Sequence, residues 1–435
     1  MVKKIPTKIE KHGHVRVDDY HWLREREDPE VIKYLNEENE RAAKEMAHTG
    51  DFEEKLFQEI KGRFKQTDMS VPYRRDDYFY YTRYEQGKEY AIYARKRGAL
   101  DQPEEIMLDA NILAEGHEFF SIGGSAVSSG QDILAYAIDT QGRRIHTGYL
   151  KNLTTGEMLP DVLPNVTENL AWANDNKTLF YGKQDETTLR QYQIYRHVVG
   201  TDPAEDQRVY QEDDETFVAY IFKTKSKKFL MIVASHTNSQ EYRYLEADRP
   251  FGESKIFLPR EREHEYHIDH FDDRFLIRTN DHAKNFRLMW TPVEKPEREH
   301  WQEIIPHRDG VYLGDFELFK EHFVLEERAR GLTQIRIVPW FGGAGHYLEF
   351  DETAYRANLN VNLQFDTTTM RFEYTSMKTP LSIYDYDMAT QQRTLLKREE
   401  VLGGFDTERY VTERFLLPRW MARRFRSPCC TARAR

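Results

Sequence analysis

Cysteine is nearly absent: there are two in 435 residues, adjacent at Cys429 and Cys430. That excludes a disulfide framework, and neighbouring thiols make poor geometry for a zinc site. Long hydrophobic runs are missing too. None approaches the roughly 20 apolar residues that a membrane helix needs. The opening MVKKIPTKIEKHGHVRVDDY lacks the apolar core of a signal peptide. The expected location is the cytoplasm, with no membrane partner. Basic charge is not in excess: 63 Lys and Arg stand against 74 Asp and Glu, a net −11. A globally acidic surface argues against nucleic acid as the main partner. Glycine-rich phosphate loops are lacking as well. FGGAG at Phe341–Gly345 follows an apolar segment but carries no lysine and no following helix, so it reads as a turn.

Aromatic residues are 13% and charged residues 31% of the chain, enough material for a large core. At roughly 150 residues per domain the length suggests two or three domains, or one large all-β unit. Residues 1–70 read as an extended arm followed by helices. Asp28-Pro29-Glu30 is a helix start, with a side-chain cap and then proline at the first helical position. Gly50 is expected to end that helix. Asp51, with Glu54 as capping-box partner, is expected to open the next.

From about residue 75 the hydrophobic period changes from 3.6 to 2. Apolar segments start at Tyr78, Ile133, Thr178, Phe229, Phe275, Phe323 and Met370, about 49 residues apart on average. Each is followed by a polar turn and a second strand-like segment. Seven hairpins at that spacing are the mark of a β-propeller, in which stacking blades buries both faces of each. The expected fold is mainly β: a seven-bladed β-propeller over residues 71–405, preceded by a short helical segment at 1–70.

Candidate chemistry is thin. Gly123-Gly124-Ser125-Ala126 resembles part of a nucleophile elbow, but position 127 is valine and no helix follows, so an inter-strand turn is expected. His264, His267 and His270 would share a helix face at i, i+3, i+6. In a strand, His264 and His270 share one face and His267 takes the other. No metal site is expected there. The carboxylate groups Glu25/Glu27, Glu212/Asp213/Asp214 and Glu326/Glu327 are expected to be solvated surface pairs rather than a glycosidase couple.

HGHVRVDDYHWLRERE (12–27) and PEVIKYLNEENERA (29–42) resemble the N-terminal segment of the prolyl oligopeptidase family of serine peptidases. FLIRTNDHAKNFRL (275–288), YTSMKTPLSIYDYDM (374–388) and TLLKREEVLGGFD (394–406) are similar to the oligopeptidase B branch. The resemblance covers residues of roughly 10–415. It implies a propeller capping an α/β-hydrolase domain with a Ser-Asp-His triad, and a preference for short basic peptides cut after Arg or Lys. It implies that residues 1–70 pack on the hydrolase domain and that 406–414 lead into it. The triad has no counterpart at any position here. No catalytic, cofactor or metal residue is assigned, and the chain alone is expected to be inactive. The alternative is a stand-alone propeller that binds peptides or a protein.

Residues 416–435 hold both cysteines, six arginines and no acid, leaving −17 for the rest. Read one base out of frame, Trp420-Met421 forces Asp and Met421-Ala422 forces Gly, giving a segment that resembles the family's first hydrolase strands. Residues 415–435 are therefore expected to be a frame-shifted tail, against a basic binding tail as the competing reading.

Overall fold

The structure, a computed structural model, describes residues 2–418 and 424–432. Two compact units emerge: residues 1–65 with 401–404, and residues 66–400 with 405–435.

In the first unit, a hairpin pairs Thr7–Lys11 with His14–Asp18 through a turn at His12 and Gly13, both at positive φ. Helix α1 spans Pro29–Met46, and Asp28 caps it by accepting the Glu30 amide at 2.8 Å. Helix α2 spans Gly50–Gly62. The expected break and capping box between them do not form. A 3-10 turn, Ala47–Thr49, runs straight into α2. The Thr49 hydroxyl turns back to the Met46 carbonyl at 2.7 Å instead of capping. The apolar face of these helices is open: Leu35, Phe52, Phe57 and Ile60 are exposed, as is Phe64 just beyond the end of α2.

In the second unit, all seven predicted hairpins are present. Strands Tyr78–Arg83, Ile133–Asp139, Thr178–Gln184, Phe229–His236, Arg274–Thr279, His322–Ala329 and Thr369–Ser376 each pair with the following strand. They do not make seven separate blades. Five four-stranded sheets cover Tyr73–Asp109 (sheet I), Val218–Ile256 (III), Tyr266–Ile305 (IV), Val311–Tyr347 (V) and Tyr355–Arg398 (VI). Between I and III lies one seven-stranded sheet, Ser121–Gln211 (sheet II). The cause is the 15-residue strand Met158–Trp172. Its first half pairs with His146–Asn152 and its second with Thr178–Gln184, and the register shifts between Val166 and Leu170. One continuous strand thus serves two predicted hairpins.

Glycine on the neighbouring strands makes room for that bend. A Cβ on Gly124 would overlap the Glu168 carbonyl oxygen, and one on Gly182 would lie 2.5 Å from Thr167 Oγ1. Gly123 needs room against a different neighbour, since a Cβ there would overlap the His146 imidazole, and together these contacts place two glycines before Ser125. Ser125 sits within the strand Ser121–Val127, not at a strand-to-helix turn. Gly124→Ala is expected to destabilise the chain by about 3 kcal/mol, because backbone cannot move aside as a side chain can. A shift in the urea midpoint checks it.

The central strands lie between neighbouring sheets and read as continuous apolar runs: Phe229–Ala234 is entirely buried. First strands alternate, as in Tyr266–Phe271. Apolar clusters fill the gaps between I and II, II and III, III and IV, IV and V, and V and VI. The seam between VI and I is closed by polar contacts instead. Arg371 donates to the Pro72 carbonyl at 2.7 Å and pairs with Asp385. Lys397 donates to Asp68 and the Met69 carbonyl, each at 2.6 Å, and the Asp76 amide donates to Gln364 at 3.2 Å. Two cavities of about 290 and 390 Å³ flank this seam. Arg371→Ala is expected to cost about 2 kcal/mol by removing charge-assisted hydrogen bonds. Hydrogen exchange should rise first at residues 73–83.

Residues 419–423 and 433–435 of the predicted tail lie outside the described residues. The backbone of Arg424–Ala432 pairs antiparallel with Tyr410–Pro418.

Candidate functional site

The first two strands of each repeat meet in a turn. Several turn residues adopt positive φ: Asp76, Gln131, Asn176, Lys227 and Asp272. These turns converge. Lys227 of sheet III forms an ion pair with Asp76 of sheet I, two sheets away around the propeller. Lys225 of sheet III reaches past sheet IV to Glu317 of sheet V at 2.8 Å. Pairs that skip a sheet can form only near the propeller axis. One end of the axis is therefore crossed by a belt of charged groups.

Three lysines from the stretch KTKSKK (223–228) supply the cations. Lys225 is nearly buried, its ammonium 3.8 Å from the centre of the Phe319 ring. Its amide donates to Asp269 Oδ1 at 3.3 Å, and the His270 amide donates to the same oxygen at 2.7 Å. Burial, together with the nearby Glu317 charge, pushes the Asp269 carboxyl up to about 7. Burial also raises Glu317 and lowers Lys225, against their mutual attraction. Lys223 donates to Ser129 Oγ at 3.0 Å and Asn174 Oδ1 at 2.9 Å. Asp76 also accepts from Gln131 at 3.0 Å. Perturbed groups of this kind gather at functional sites. They can recognise charged groups and hold protons.

The sequence candidates are scattered. His264 and His270 are buried and His267 half-buried, as strand alternation requires. The strand Tyr266–Phe271 is the first strand of its sheet. His264 bonds Thr279 at 2.9 Å, His267 bonds Tyr242 at 3.1 Å, and His270 bonds Ser226 Oγ at 2.8 Å. The Ser226–His270 contact is not a nucleophile and base. Burial pushes His270 down to about 4, and its Nε2 is buried without a partner. Among the described residues no group of three or more His, Cys, Asp or Glu is arranged for a metal.

The carboxylate pairs need correcting as well. Glu25 and Glu27 are exposed. Glu212 is buried, paired with Arg260 and accepting from Tyr210 at 2.7 Å. Glu327 is buried, held by Arg308 and by Tyr347 at 2.7 Å. These carboxylates are structural anchors, because buried charge persists only where cations and hydroxyls meet it. The axial groups went unnoticed in the sequence. The one available signal was KTKSKK, four lysines in six residues between apolar strands.

Sheet edges near the axis are covered by side chains from the adjoining sheet. Asn169 exchanges two hydrogen bonds with Ile221, at 2.7 and 2.6 Å. Arg278 donates to the Leu313 carbonyl at 2.8 Å, and within sheet II Trp172 donates to the Ala126 carbonyl at 2.9 Å. Unpaired strand edges are a pairing hazard, and these contacts satisfy them.

This architecture has known counterparts. Residues 1–399 match the model of the prolyl oligopeptidase N-terminal beta-propeller domain. The chain is 39% identical over 428 residues to dipeptidyl aminopeptidase BI of Pseudoxanthomonas mexicana, covering 94% of this chain and 58% of that protein. It is 31% identical over 420 residues to protease 2 of Moraxella lacunata, covering 95% and 60%. Oligopeptidase B from Trypanosoma brucei, in a closed form with covalently bound antipain, superposes with a TM-score of 0.90 at 26% identity. That match covers 99% of this chain and 64% of the other. The chain thus spans about three fifths of the length of these relatives. By sequence and by fold, the chain belongs to the prolyl oligopeptidase family, of which it carries the N-terminal β-propeller portion.

Proposed function

We propose that this chain is the propeller portion of an oligopeptidase B-like serine-type endopeptidase acting on short peptides after Arg or Lys. The hydrolytic groups lie outside residues 1–415, and the chain alone does not turn over substrate. The match of residues 1–399 to the propeller-domain model carries this reading. Two observations support it. The helices α1 and α2 expose an apolar face of the kind that packs on a further domain. The Ser226–His270 contact lacks a working base. The test is an assay of the pure chain on arginyl and lysyl peptide substrates. No hydrolysis is expected at any enzyme concentration. Turnover abolished by a serine-directed inhibitor would overturn the reading.

The name of the 39% identical relative favours a second reading of product size, the release of dipeptides from a free N-terminus. Product analysis of a chain joined to a relative's remaining segment separates the two. An N-terminally blocked substrate is cut only in the endopeptidase case.

A further inference from the structure

Sheets III and IV leave a gap beside the turns that hold Lys227 and Asp272. It is a cavity of about 650 Å³, within the range of small-molecule sites. One position accounts for it. In four sheets the residue after the third strand donates its amide to the carbonyl just before the second strand. The pairs are Ala247 to Lys228 at 2.9 Å, Val293 to Asp273 at 2.9 Å, Trp340 to Glu321 at 3.1 Å and Met388 to Thr368 at 2.8 Å. These residues are therefore equivalent in sheets III to VI. In sheet V the residue is Trp340, whose ring stacks on Phe271 of sheet IV at 4.2 Å and fills the gap between them. In sheet VI it is Met388, which packs into the cluster between V and VI. In sheet IV it is Val293, and the gap toward sheet III lacks the volume of an aromatic ring.

The cavity is lined by rings and walled by fixed backbone. Phe229 and Tyr244 meet edge to face, 5.6 Å between centroids, with Pro292 and Val293 contributed by sheet IV. On the sheet III side, the segment 247–252 is tied to sheet II. The Ala247 carbonyl accepts the Asn174 amide at 2.9 Å, and the Pro250 carbonyl accepts Arg196 at 2.7 Å. The Arg196 guanidinium also covers the Phe251 ring at 4.3 Å. A wall held in this way is set before a ligand arrives, which lowers the ordering cost of binding.

The rim carries both signs of charge. Arg249 pairs with Glu246 at 3.5 Å, and Asp273 with Arg274 at 3.0 Å. Lys228, Lys255, Glu253 and Glu294 also line the cavity, and among the described residues none of the four forms an ion pair. A ligand with one positive charge would face Lys228 and Lys255, and one with a negative charge would face Glu253 and Glu294. A zwitterion satisfies both sets, its carboxylate toward the two lysines of sheet III and its ammonium toward Glu294 of sheet IV. We propose that this cavity binds a small zwitterion bearing an aromatic ring, an amino acid or a dipeptide. The ring takes the volume that Trp340 fills in the next gap. The site stands apart from peptide hydrolysis and does not rest on that reading.

The experiment is a ligand-observed NMR titration of the pure chain with L-tryptophan and with glycyltryptophan, the tighter of the two identifying the source. Saturable binding of at least one is expected below about 1 mM. Tryptamine, indole-3-propionate and N-acetyltryptophan amide carry the same ring with one charge or none. Each is expected to bind about fivefold more weakly or worse, the scale of an exposed ion pair. Val293→Trp gives sheet IV the side chain that sheet V already has and should abolish binding of every probe. Glu294→Gln and Lys255→Gln alter exposed charges only. Each should weaken the zwitterion about threefold and leave the neutral amide unchanged. Absence of saturable binding, equal binding of the neutral amide, full binding to a folded Val293→Trp chain, or unchanged binding in both charge variants would overturn the proposal.

Discussion

Replacing His197 with alanine is expected to lower stability by about 3–5 kcal/mol, the cost of breaking a buried ionic network by removing one partner. His197 is fully buried in the strand Gln191–Val198. Its Nε2 lies 2.8 Å from Asp161 Oδ1 and its Nδ1 2.8 Å from Asp206 Oδ1. Asp161 is on the long strand that joins the two halves of sheet II, and Asp206 follows the 3-10 turn Pro203–Glu205. One imidazole therefore ties three segments together. Removing it leaves two carboxylates facing each other inside the sheet.

The pH dependence has a definite sign. Burial alone would depress His197, but its hydrogen bonds to Asp206 and Asp161, and their charges, outweigh burial and raise it above 6.5. The other groups around it are Tyr181, which donates to Asp206 at 2.9 Å, and Lys183, whose ammonium lies over the Tyr195 ring at 4.5 Å. A group raised on folding contributes stability that is fully present below its unfolded pKa. That contribution is lost as pH rises through the folded value. Wild type is expected to weaken from about pH 6.5 upward by more than the His197→Asn variant, which cannot protonate. Parallel urea curves for the two proteins between pH 6 and 9 would show instead that the imidazole is neutral.

The repeated hairpins were legible because they rest on local pattern. Each pairs an apolar run with a polar turn, and each sits near the expected residue. The cap at Asp28 was legible for the same reason. Sheet II was not. Whether Met158–Trp172 breaks into two strands depends on room made by Gly124 and Gly182, which come from other parts of the chain. Buried carboxylates were misread for a related reason. Glu212 and Glu327 look like surface charge until Arg260 and Arg308, 48 and 19 residues away, close over them. The axial belt is the extreme case, since Lys227 and Asp76 are 151 residues apart. Spacing along a chain reports faces of strands, and it is silent on which turns meet at an axis.

That belt carries the second large expected effect. Lys225→Met keeps the aliphatic stem on Phe319 but removes the cation shared by Glu317 and Asp269. At pH 8 the loss is expected to be about 3 kcal/mol, at the lower end for a buried pair because Glu317 is partly open to water. The deficit should depend on pH. Both carboxyls already have folded pKa values above their ordinary ones, Asp269 at about 7, and losing the cation raises them further. For acids raised on folding, stability is retained below about pH 4 and lost as pH climbs through the folded values. The variant should approach wild-type stability near pH 5 and fall away above pH 7. Adding Glu317→Gln to Lys225→Met should recover most of the loss at pH 8, because a neutral amide needs no cation. If the deficit is the same at pH 5 and pH 8, Lys225 acts through packing on Phe319 alone, and the axial belt is held by shape rather than by charge.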